Sequence, residues 1–342
     1  MHNSVRERAA PLSVESLLEI PLVGHALQLG QNLSHMEGTL ASHFGDVSLD
    51  PLAAFERATL PRCFNLIRSE GVELGYLAFG QPVRAECWNT ESFGVLMPLS
   101  GRVQMKQYPQ TGQGLNGPYF LLPGSDLRLQ FTEDCSVLVF RFSVPGASAR
   151  AALERVFREG VARGDGLLEH AEHLMCALVR HTHHALSVEE KKKRLEEAKE
   201  HFLRSCGIKA NGMITPSWLE RDASDVRVLK AAQYLRATSQ GRFDLPGLCE
   251  ETCMSRRGLY YAFRRNLNCT PYGYFKACQL LRVRLALMLD SKRSRSISWH
   301  AAAYGFRHMS RFSAQYRQLF GERPRETGAR HTKGRGRVIN AR

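Results

Sequence analysis

The chain has 342 residues and carries 47 Lys plus Arg against 33 Asp plus Glu, which gives a formal net charge of +14. That length suggests roughly two domains, and 43% hydrophobic residues exclude a wholly disordered chain. The charge is unevenly distributed, because residues 1–225 carry a net −4 and residues 226–342 a net +18. Such a basic C-terminal part favours a polyanionic partner.

Three sequence features bear on location. The uncharged stretch at residues 20–36 contains Gly, Gln, Asn and His and is therefore unsuited to crossing a membrane. The N-terminus has no apolar segment behind its charges, so we expect no secretory signal. The nine cysteines form no Cys-x-x-Cys pair, which is typical of reduced thiols. We therefore expect a cytoplasmic protein without membrane association.

The front part is expected to be rich in β-structure. Residues 1–60 show some helical periodicity but no strong signal, so we assign them no structure. Residues 61–145 alternate apolar runs with Gly and Pro turns, as in 93–97 and 136–142. This pattern predicts an antiparallel sandwich or a cupin-like β-barrel.

A helical segment and a linker follow. Apolar residues recur every three or four positions over residues 146–206, which predicts helices. Residues 207–227 contain Gly207, Gly212 and Pro216 and predict a linker into the basic part.

We predict neither a catalytic site nor a metal or cofactor. Cupin enzymes use two or three histidines around a metal inside the barrel, whereas this chain has no histidine between His43 and His170. The spacing of His170, His173 and Cys176 on one helix face could suit a metal. We favour an ordinary surface or packing role for these three residues.

The basic part contains an internal repeat. Shifting residues 248–271 by 53 positions superposes Leu259 on Phe312, Phe263 on Tyr316 and Pro271 on Pro324. Each copy predicts a helix, a tight turn and a second helix. Ser255 suits the N-cap of the second helix in the first copy, and Gly305 permits a positive φ in the turn of the second copy.

The repeat carries a family resemblance over residues 228–327. Its most telling segments are Ser296-Ile297, Tyr304-Gly305-Phe306, Ser310-x-Phe312 and Phe320-Gly321-x-x-Pro324. In these segments the chain resembles the AraC/XylS family of bacterial transcription regulators. The resemblance implies an all-α double helix-turn-helix domain that places its two recognition helices in adjacent major-groove segments of DNA.

The resemblance also implies which side chains meet DNA. Expected base contacts are Arg256, Arg257, Tyr260, Met309, Ser310, Arg311 and Ser313. Expected phosphate contacts are Arg264, Arg265 and Arg317. Alternatives stay open for single residues: the arginines could be solvated, Tyr260 and Met309 could pack against the core, and Ser310 could cap its helix.

The chain departs from the family pattern at several positions. Cys253 replaces the usual glycine of the first turn, so we expect a looser turn there. Tyr261 and Ala314 stand where an arginine often reaches DNA, and Gln279 replaces a frequent arginine of the linking helix. These departures leave the preferred DNA sequence unpredicted.

The front part resembles, less specifically, the ligand-binding domain of the same family. Relatives with this domain often respond to small carboxylates, many of them aromatic. Residues that could hold a carboxylate or line an apolar pocket are Arg84, Trp88, Phe93, Arg102, Tyr119 and Arg128. A structural or surface role is the alternative for each.

The sequence therefore predicts an α+β protein: a cupin-like sensing domain (61–145), a helical dimerisation segment (146–206), a DNA-binding domain (228–327) and a disordered basic tail (328–342). We expect a homodimeric activator that binds double-stranded DNA, recruits RNA polymerase and controls a catabolic operon in response to a small effector. Two alternatives remain open, a regulator controlled by a protein partner and a cupin-like enzyme fused to a DNA-binding domain.

Overall fold

The computed structural model describes residues 13–30, 32–52, 60–89, 92–108, 117–163, 166–208, 216, 218–219, 226–290 and 294–333. These residues form two compact units. The first unit holds the described residues of His25–Val179 and Lys192–Thr215, and the second holds those of Ser13–Gly24, Arg180–Lys191 and Pro216–Arg342. The division crosses the helical segment predicted over residues 146–206, and most of the predicted linker 207–227 lies outside the described residues.

The strands of the described chain all belong to the first unit. In chain order they are β1 (Ala26–Leu29), β2 (Val47–Pro51), β3 (Cys63–Ser69), β4 (Val72–Ala78), β5 (Val83–Asn89), β6 (Phe93–Ser100), β7 (Val103–Tyr108), β8 (Tyr119–Leu121), β9 (Ser125–Phe131) and β10 (Ser136–Phe142).

The helices are distributed over both units. In chain order they are α1 (Val14–Leu17), α2 (Leu33–Phe44), α3 (Ala147–Arg163), α4 (Leu167–His181), α5 (Val188–Ser205), α6 (Val226–Thr238), α7 (Leu245–Thr252), α8 (Arg256–Leu267), α9 (Pro271–Leu289), α10 (Ile297–Ala303), α11 (Met309–Phe320) and α12 (Pro324–Lys333). None of the helices in the described part of the chain combines the length and apolar character that crossing a bilayer requires.

The first unit is built from two antiparallel sheets that share one core. The larger sheet has the strand order β1-β3-β4-β10-β6-β8, and the smaller has the order β2-β5-β9-β7. Because side chains alternate along a strand, β10 directs Val137 and Val139 into the core between the sheets. Its Phe142 points to the opposite face, where the ring centroid lies 5.7 Å from that of Phe202 on α5.

Part of residues 1–60, which the sequence left unassigned, completes this unit. β1 pairs with β3 and β2 pairs with β5. The helix α2 begins at the N-cap Asn32, whose side chain accepts a hydrogen bond from the His35 N–H at 2.9 Å. Its buried Met36 and Leu40 belong to the core between the sheets.

The second unit is all α, and α9 runs through its centre. Fourteen of the nineteen α9 residues are buried, which explains why this helix lacks a clear amphipathic pattern. The segment 13–24 packs here as well, since Glu15 Oε1 lies 3.0 Å from Arg282 Nη1. The α+β class with a β-rich front domain and a helical C-terminal domain is therefore confirmed.

The predicted disordered tail needs a correction. Residues 328–333 continue α12, while residues 334–342 lie outside the described residues. The helix forms because Pro324 suits the first helical turn and the Glu326 carboxylate accepts a hydrogen bond from the Arg323 N–H at 2.6 Å. This back-bonding satisfies an N–H that has no partner within the helix.

Candidate nucleic-acid interface and barrel cavity

The first helix-turn-helix unit is formed by α7 and α8. Asp244 caps α7 by accepting a hydrogen bond from the Gly247 N–H at 3.1 Å, and Ser255 caps α8 by accepting one from the Gly258 N–H at 3.1 Å. Between them Cys253 adopts the left-handed conformation, with φ 52°, and its N–H bonds to the last carbonyls of α7. The loosening expected at Cys253 is therefore not found, because cysteine takes the conformation that glycine would take.

The two faces of α8 are chemically distinct. Leu259, Ala262 and Phe263 are buried in the core of the second unit. The opposite face exposes the four predicted arginines and one tyrosine, namely Arg256, Arg257, Tyr261, Arg264 and Arg265. The predicted base contact Tyr260 is half-buried at the edge of this face, whereas Tyr261 is 66% exposed near its centre. From the sequence, Tyr261 was identified only as a departure from the AraC/XylS family pattern.

The second helix-turn-helix unit, which is the second copy of the repeat, is formed by α10 and α11. Ser296 caps α10 by accepting a hydrogen bond from the Trp299 N–H at 3.1 Å, and Gly305 provides the expected positive φ of 84° in the turn. His308 is the N-cap of α11, and its side chain makes no capping hydrogen bond. Ser310 is therefore not the helix cap, and that alternative is wrong.

The helix α11 also separates a core face from an exposed face. Phe312, Tyr316 and Phe320 are buried. Of the predicted DNA contacts, Ser310, Arg311, Ser313 and Arg317 are exposed and Met309 is half-buried. The centre of this face carries Ser310, Ala314 and Arg317. Two of these side chains are small, whereas the centre of the α8 face carries arginine and tyrosine.

A basic groove runs beside α11. Arg317 lines it together with Arg323 and Arg325, which precede and follow the first residue of α12. The exposed Arg323 and Arg325 join the candidate phosphate contacts. They were missed because Arg323 corresponds to the uncharged Thr270 of the first copy and Arg325 follows the repeated segment, although the arginines flanking Pro324 are a visible charge signal.

Buried polar side chains of α9 hold the first helix-turn-helix unit. Arg282 donates from Nη2 to the Arg236 carbonyl at 2.9 Å and from Nε to Ser239 Oγ at 2.6 Å. Gln279 donates from Nε2 to the Gly241 carbonyl at 3.3 Å. These bonds fix the end of α6 against α9, and α6 in turn packs against α7 of the first helix-turn-helix unit; both residues are buried and act as supports.

The residues predicted to hold an effector do not gather in one pocket. Arg84, Arg102 and Arg128 are exposed on or beside the four-stranded sheet, so they do not line the space between the sheets. Phe93 packs outside the barrel, with its ring centroid 5.7 Å from that of Phe157. Their assignment to a ligand pocket is corrected, because strand alternation turns the side chains of Arg84, Phe93 and Arg128 away from the barrel interior, and Arg102 lies in the turn before β7.

The other two candidates differ from these four. Tyr119 is a core residue whose hydroxyl donates to the Val103 carbonyl at 2.9 Å, and it does not line the cavity described next. The side chain of Trp88 lies outside the described part of the structure.

A cavity of about 90 Å³ does lie between the sheets. Its walls are apolar apart from one thiol and one guanidinium. They are formed by Leu40, Phe44, Val47, Leu49, Leu77, Phe79, Ala85, Cys87, Leu96, Leu121, Leu127, Leu129, Phe131, Val137, Val139 and Arg141. Burial raises the pKa of the Cys87 thiol to about 11, which leaves Arg141 as the charged group of the wall. Sequence reasoning missed Arg141, since it is the one charged residue of the largely apolar strand β10.

A histidine ring of α4 packs against a histidine ring of α5. The centroids of His170 and His201 lie 5.1 Å apart, and burial, assisted by His170 and Arg204, lowers the pKa of His201 to about 4. Within the described residues, no three His, Cys, Asp or Glu side chains are placed to hold a metal ion.

Comparisons with known proteins match two parts of the chain to two family models. A family model described as a helix-turn-helix domain matches residues 248–330, and one described as an AraC-binding-like domain matches residues 36–205. Over 279 residues the chain is 25% identical to XylDLEGF operon transcriptional activator 1 of Pseudomonas putida, covering 75% of this chain and 81% of that protein. It is 34% identical to XylDLEGF operon transcriptional activator 2 of the same organism over 102 residues, which is 30% of this chain and 65% of that protein.

A solved structure is similar as well. The crystal structure of the AraC-like transcriptional activator CuxR aligns with 80% of this chain and 98% of its own at 14% identity and a TM-score of 0.36. The relatives are transcription regulators and not enzymes, so the alternative of a fused cupin-like enzyme is wrong.

Proposed function

The chain belongs to the AraC/XylS family of transcription regulators, and we propose that it activates a catabolic operon in response to a small effector. One observation carries the DNA-binding half of this proposal. Both α8 and α11 bury an apolar face in the core and expose arginine and polar side chains on the other face. Exposed helix faces of this composition fit the major groove of DNA.

In this proposal the two recognition helices have unequal parts. The exposed face of α8 carries Arg256, Arg257 and Tyr261, which offer both hydrogen bonds and apolar contacts to base edges. The face of α11 offers Ser310, Arg311 and Ser313. Arginines at the helix ends and in the α12 groove contact phosphates, and they supply affinity for any DNA sequence.

The regulatory half of the proposal concerns the front domain. The apolar cavity between the two sheets favours a small molecule over a protein partner, because its concave apolar walls suit a small ligand. The relatives named above activate the XylDLEGF operon, which supports activation of a catabolic operon by this chain. We further propose that residues 146–206 dimerise, that effector binding shifts the equilibrium towards DNA-bound dimers, and that these recruit RNA polymerase on the bacterial nucleoid.

A selection of bound genomic fragments tests this function. The full chain is incubated with sheared DNA from the source genome, bound fragments are recovered at two salt concentrations, and the bound sequence is located by footprinting. We expect two protected major-groove segments on one face of the duplex. A reporter fused to the recovered promoter should gain transcription with the chain present. Recovery of random fragments, or a single protected segment, would contradict the proposal.

A further inference from the structure

We propose that Tyr261 of α8 and Ala314 of α11 each select a thymine, through an apolar contact with the 5-methyl group of that base. The bound DNA then carries a thymine at equivalent places in two major-groove segments, about one helical turn apart. This inference rests on the proposed function, because it names bases that the proposed DNA-binding faces recognise. It adds two apolar specificity residues to the polar contacts expected from the sequence.

The two residues occupy the same place in the internal repeat. A shift of 53 positions superposes Tyr261 on Ala314, and each is the sixth residue of its recognition helix. The same shift superposes Arg264, which lies one turn later on the same helix face, on Arg317. Tyr261 and Ala314 are therefore central on their exposed faces, where a helix in the major groove comes nearest to the base edges.

Each of the two is also the one apolar side chain that its recognition helix exposes. The other exposed residues of α8 are four arginines, and those of α11 are serines, arginines and a glutamine. Tyr261 is 66% exposed, and within the described residues its ring packs on no other ring and its hydroxyl makes no hydrogen bond. The fold does not use this ring, whereas contact with DNA removes its apolar surface from water.

Thymine is the base that offers these side chains an apolar partner. In the major groove, guanine, cytosine and adenine present hydrogen-bond donors and acceptors, whereas thymine also presents a methyl group. A tyrosine ring or an alanine methyl packed against a polar base edge leaves donors or acceptors unpaired, which costs free energy. Packed against the thymine methyl, the same side chains bury carbon on both sides of the contact. An apolar side chain at this place therefore selects thymine over the other bases.

The neighbouring side chains have lengths that suit both contacts. Tyr261 follows Arg257 by one turn on α8, so this face meets DNA through long side chains. Ala314 follows Ser310 by one turn on α11 and stands next to Ser313, and all three are short and exposed. A face of short side chains lets the helix approach the floor of the groove closely. The Tyr261 ring and the Ala314 methyl group can therefore both reach a base, although they differ in length.

Substitution of uracil for thymine tests the two contacts, because uracil lacks the 5-methyl group and pairs with adenine in the same way. The full chain is titrated by fluorescence anisotropy with the duplex recovered in the genomic selection. Each thymine of the two protected segments is replaced by uracil in turn. In each segment we expect one position at which uracil weakens binding about fourfold, the value of one buried methylene-sized group. Uracil at the other thymines should leave the affinity nearly unchanged.

Two variants assign these positions to their side chains. Tyr261→Ala should abolish the preference for thymine over uracil in one segment and leave it at about fourfold in the other. Ala314→Ser replaces an apolar side chain with a polar one of similar size and should do the reverse. In each variant the unaffected segment is the internal control. Both residues are exposed, so we expect both variants to fold, which circular dichroism verifies.

Tyr261→Phe and Tyr261→Arg separate the ring from the hydroxyl group. Tyr261→Phe is the matched control and should keep both thymine preferences, because it keeps the ring. Tyr261→Arg should select guanine in place of thymine in its segment, because arginine forms a bidentate pair with the O6 and N7 atoms of guanine. Selection from a library of random duplexes measures this change of base.

The inference is overturned if no uracil substitution weakens binding by the wild type, or if Tyr261→Ala leaves the thymine preference intact in both segments. Loss of that preference in Tyr261→Phe would also overturn it, since the hydroxyl group and not the ring would then read the base. An intact preference in Ala314→Ser would overturn the contact assigned to α11.

The same titrations separate this inference from the proposed function. Specific binding of the recovered duplex without any effect of uracil would remove the thymine contacts and leave the regulator intact. Equal binding of the recovered duplex and a scrambled one would remove the proposed function, and the thymine contacts with it.

Discussion

Arg284 Nη1 donates a hydrogen bond to Glu322 Oε1 and thereby connects α9 to the turn before α12, with the two side chains only 3% and 10% exposed. Thr327 Oγ1 donates to the same carboxylate oxygen at 2.6 Å, and Tyr316 Oη lies 2.7 Å from Thr327 Oγ1. Each of these partners contacts another, so the cluster holds α11 and α12 against α9 and fixes the second recognition helix.

Replacing Glu322 with alanine should therefore destabilise the second unit by about 3 kcal/mol. This is the lower end of the range for breaking a buried ion pair, because Thr327 and Tyr316 still contact Arg284. Urea unfolding measures the loss. Glu251→Ala is the control: its pair with Lys230 at 3.1 Å is about half exposed, and its loss should cost less than about 1 kcal/mol. Equal losses in the two variants would contradict a structural role for the buried cluster.

The sequence predicted the exposed faces of the recognition helices better than it predicted their supports. Helical periodicity alone separates Phe312 from Ser313, because a one-residue step rotates the side chain by about 100°. It gives no signal for Arg282, which is 2% exposed and bonds to Glu15 across 267 positions of the chain. Charged residues are usually exposed, so a buried arginine is recognised only once its distant partner is known.

In the front domain, too, the sequence did not predict features that depend on distant parts of the chain. The predicted apolar runs 93–97 and 136–142 correspond to β6 and β10. β1 and β2 were missed because they have only four and five residues and gain their stability from pairing with β3 and β5. Which arginines face the cavity depends on strand register, and one residue of register reverses the face.

Asp290 should give the second unit a distinct dependence on acid. Its carboxylate accepts hydrogen bonds from the Ser294 N–H at 2.9 Å and the Arg295 N–H at 3.1 Å, and His300 Nε2 lies 3.1 Å away. Burial alone would raise the pKa of Asp290, but these partners together lower it to about 2. A carboxyl whose folded pKa lies below its unfolded value of about 4 stabilises the fold above pH 4 and loses this contribution as the pH falls towards 2.

We therefore expect Asp290→Asn to lower the free energy of unfolding by about 2 kcal/mol at pH 7, with about half of that difference remaining at pH 3. Urea unfolding of both proteins across this range measures the effect. Glu251→Gln is the control, since its carboxylate is about half exposed and its one surface pair should contribute less than about 1 kcal/mol at pH 7. A difference that stays constant from pH 7 to pH 3 would mean that Asp290 acts by packing alone.

Replacing Cys253 with glycine should stabilise the first helix-turn-helix unit. A non-glycine residue in the left-handed region costs about 1–2 kcal/mol, and the added freedom of glycine in the unfolded chain offsets about 0.4–1 kcal/mol of that. A net gain of about 0.5–1 kcal/mol is expected. Asn268→Gly is the matched control, because Asn268 has the same φ of 52° but asparagine tolerates this region. An equal gain in both variants, or a loss in Cys253→Gly, would contradict strain at Cys253.

The two arginines Arg257 and Arg264 should act differently on DNA, although both lie on the exposed face of α8. Arg257, in the first turn, is placed to meet base edges, so Arg257→Ala should cost about 1–3 kcal/mol at the selected site and much less on random DNA. Arg264, two turns later, is placed for a phosphate. Arg264→Ala should weaken binding to both DNAs alike and reduce the slope of log K against log salt by about one.

Fluorescence anisotropy with the selected and a scrambled duplex at four salt concentrations measures these quantities. Arg84→Ala provides the control, because it removes an equal charge from the exposed sheet of the front domain and should change neither affinity nor slope. If Arg257→Ala left specific binding untouched, α8 could not dock through its first turn. If Arg264→Ala lowered specific binding alone, it would be a base contact, and the exposed Tyr261 between the two arginines would then be expected to contact bases as well.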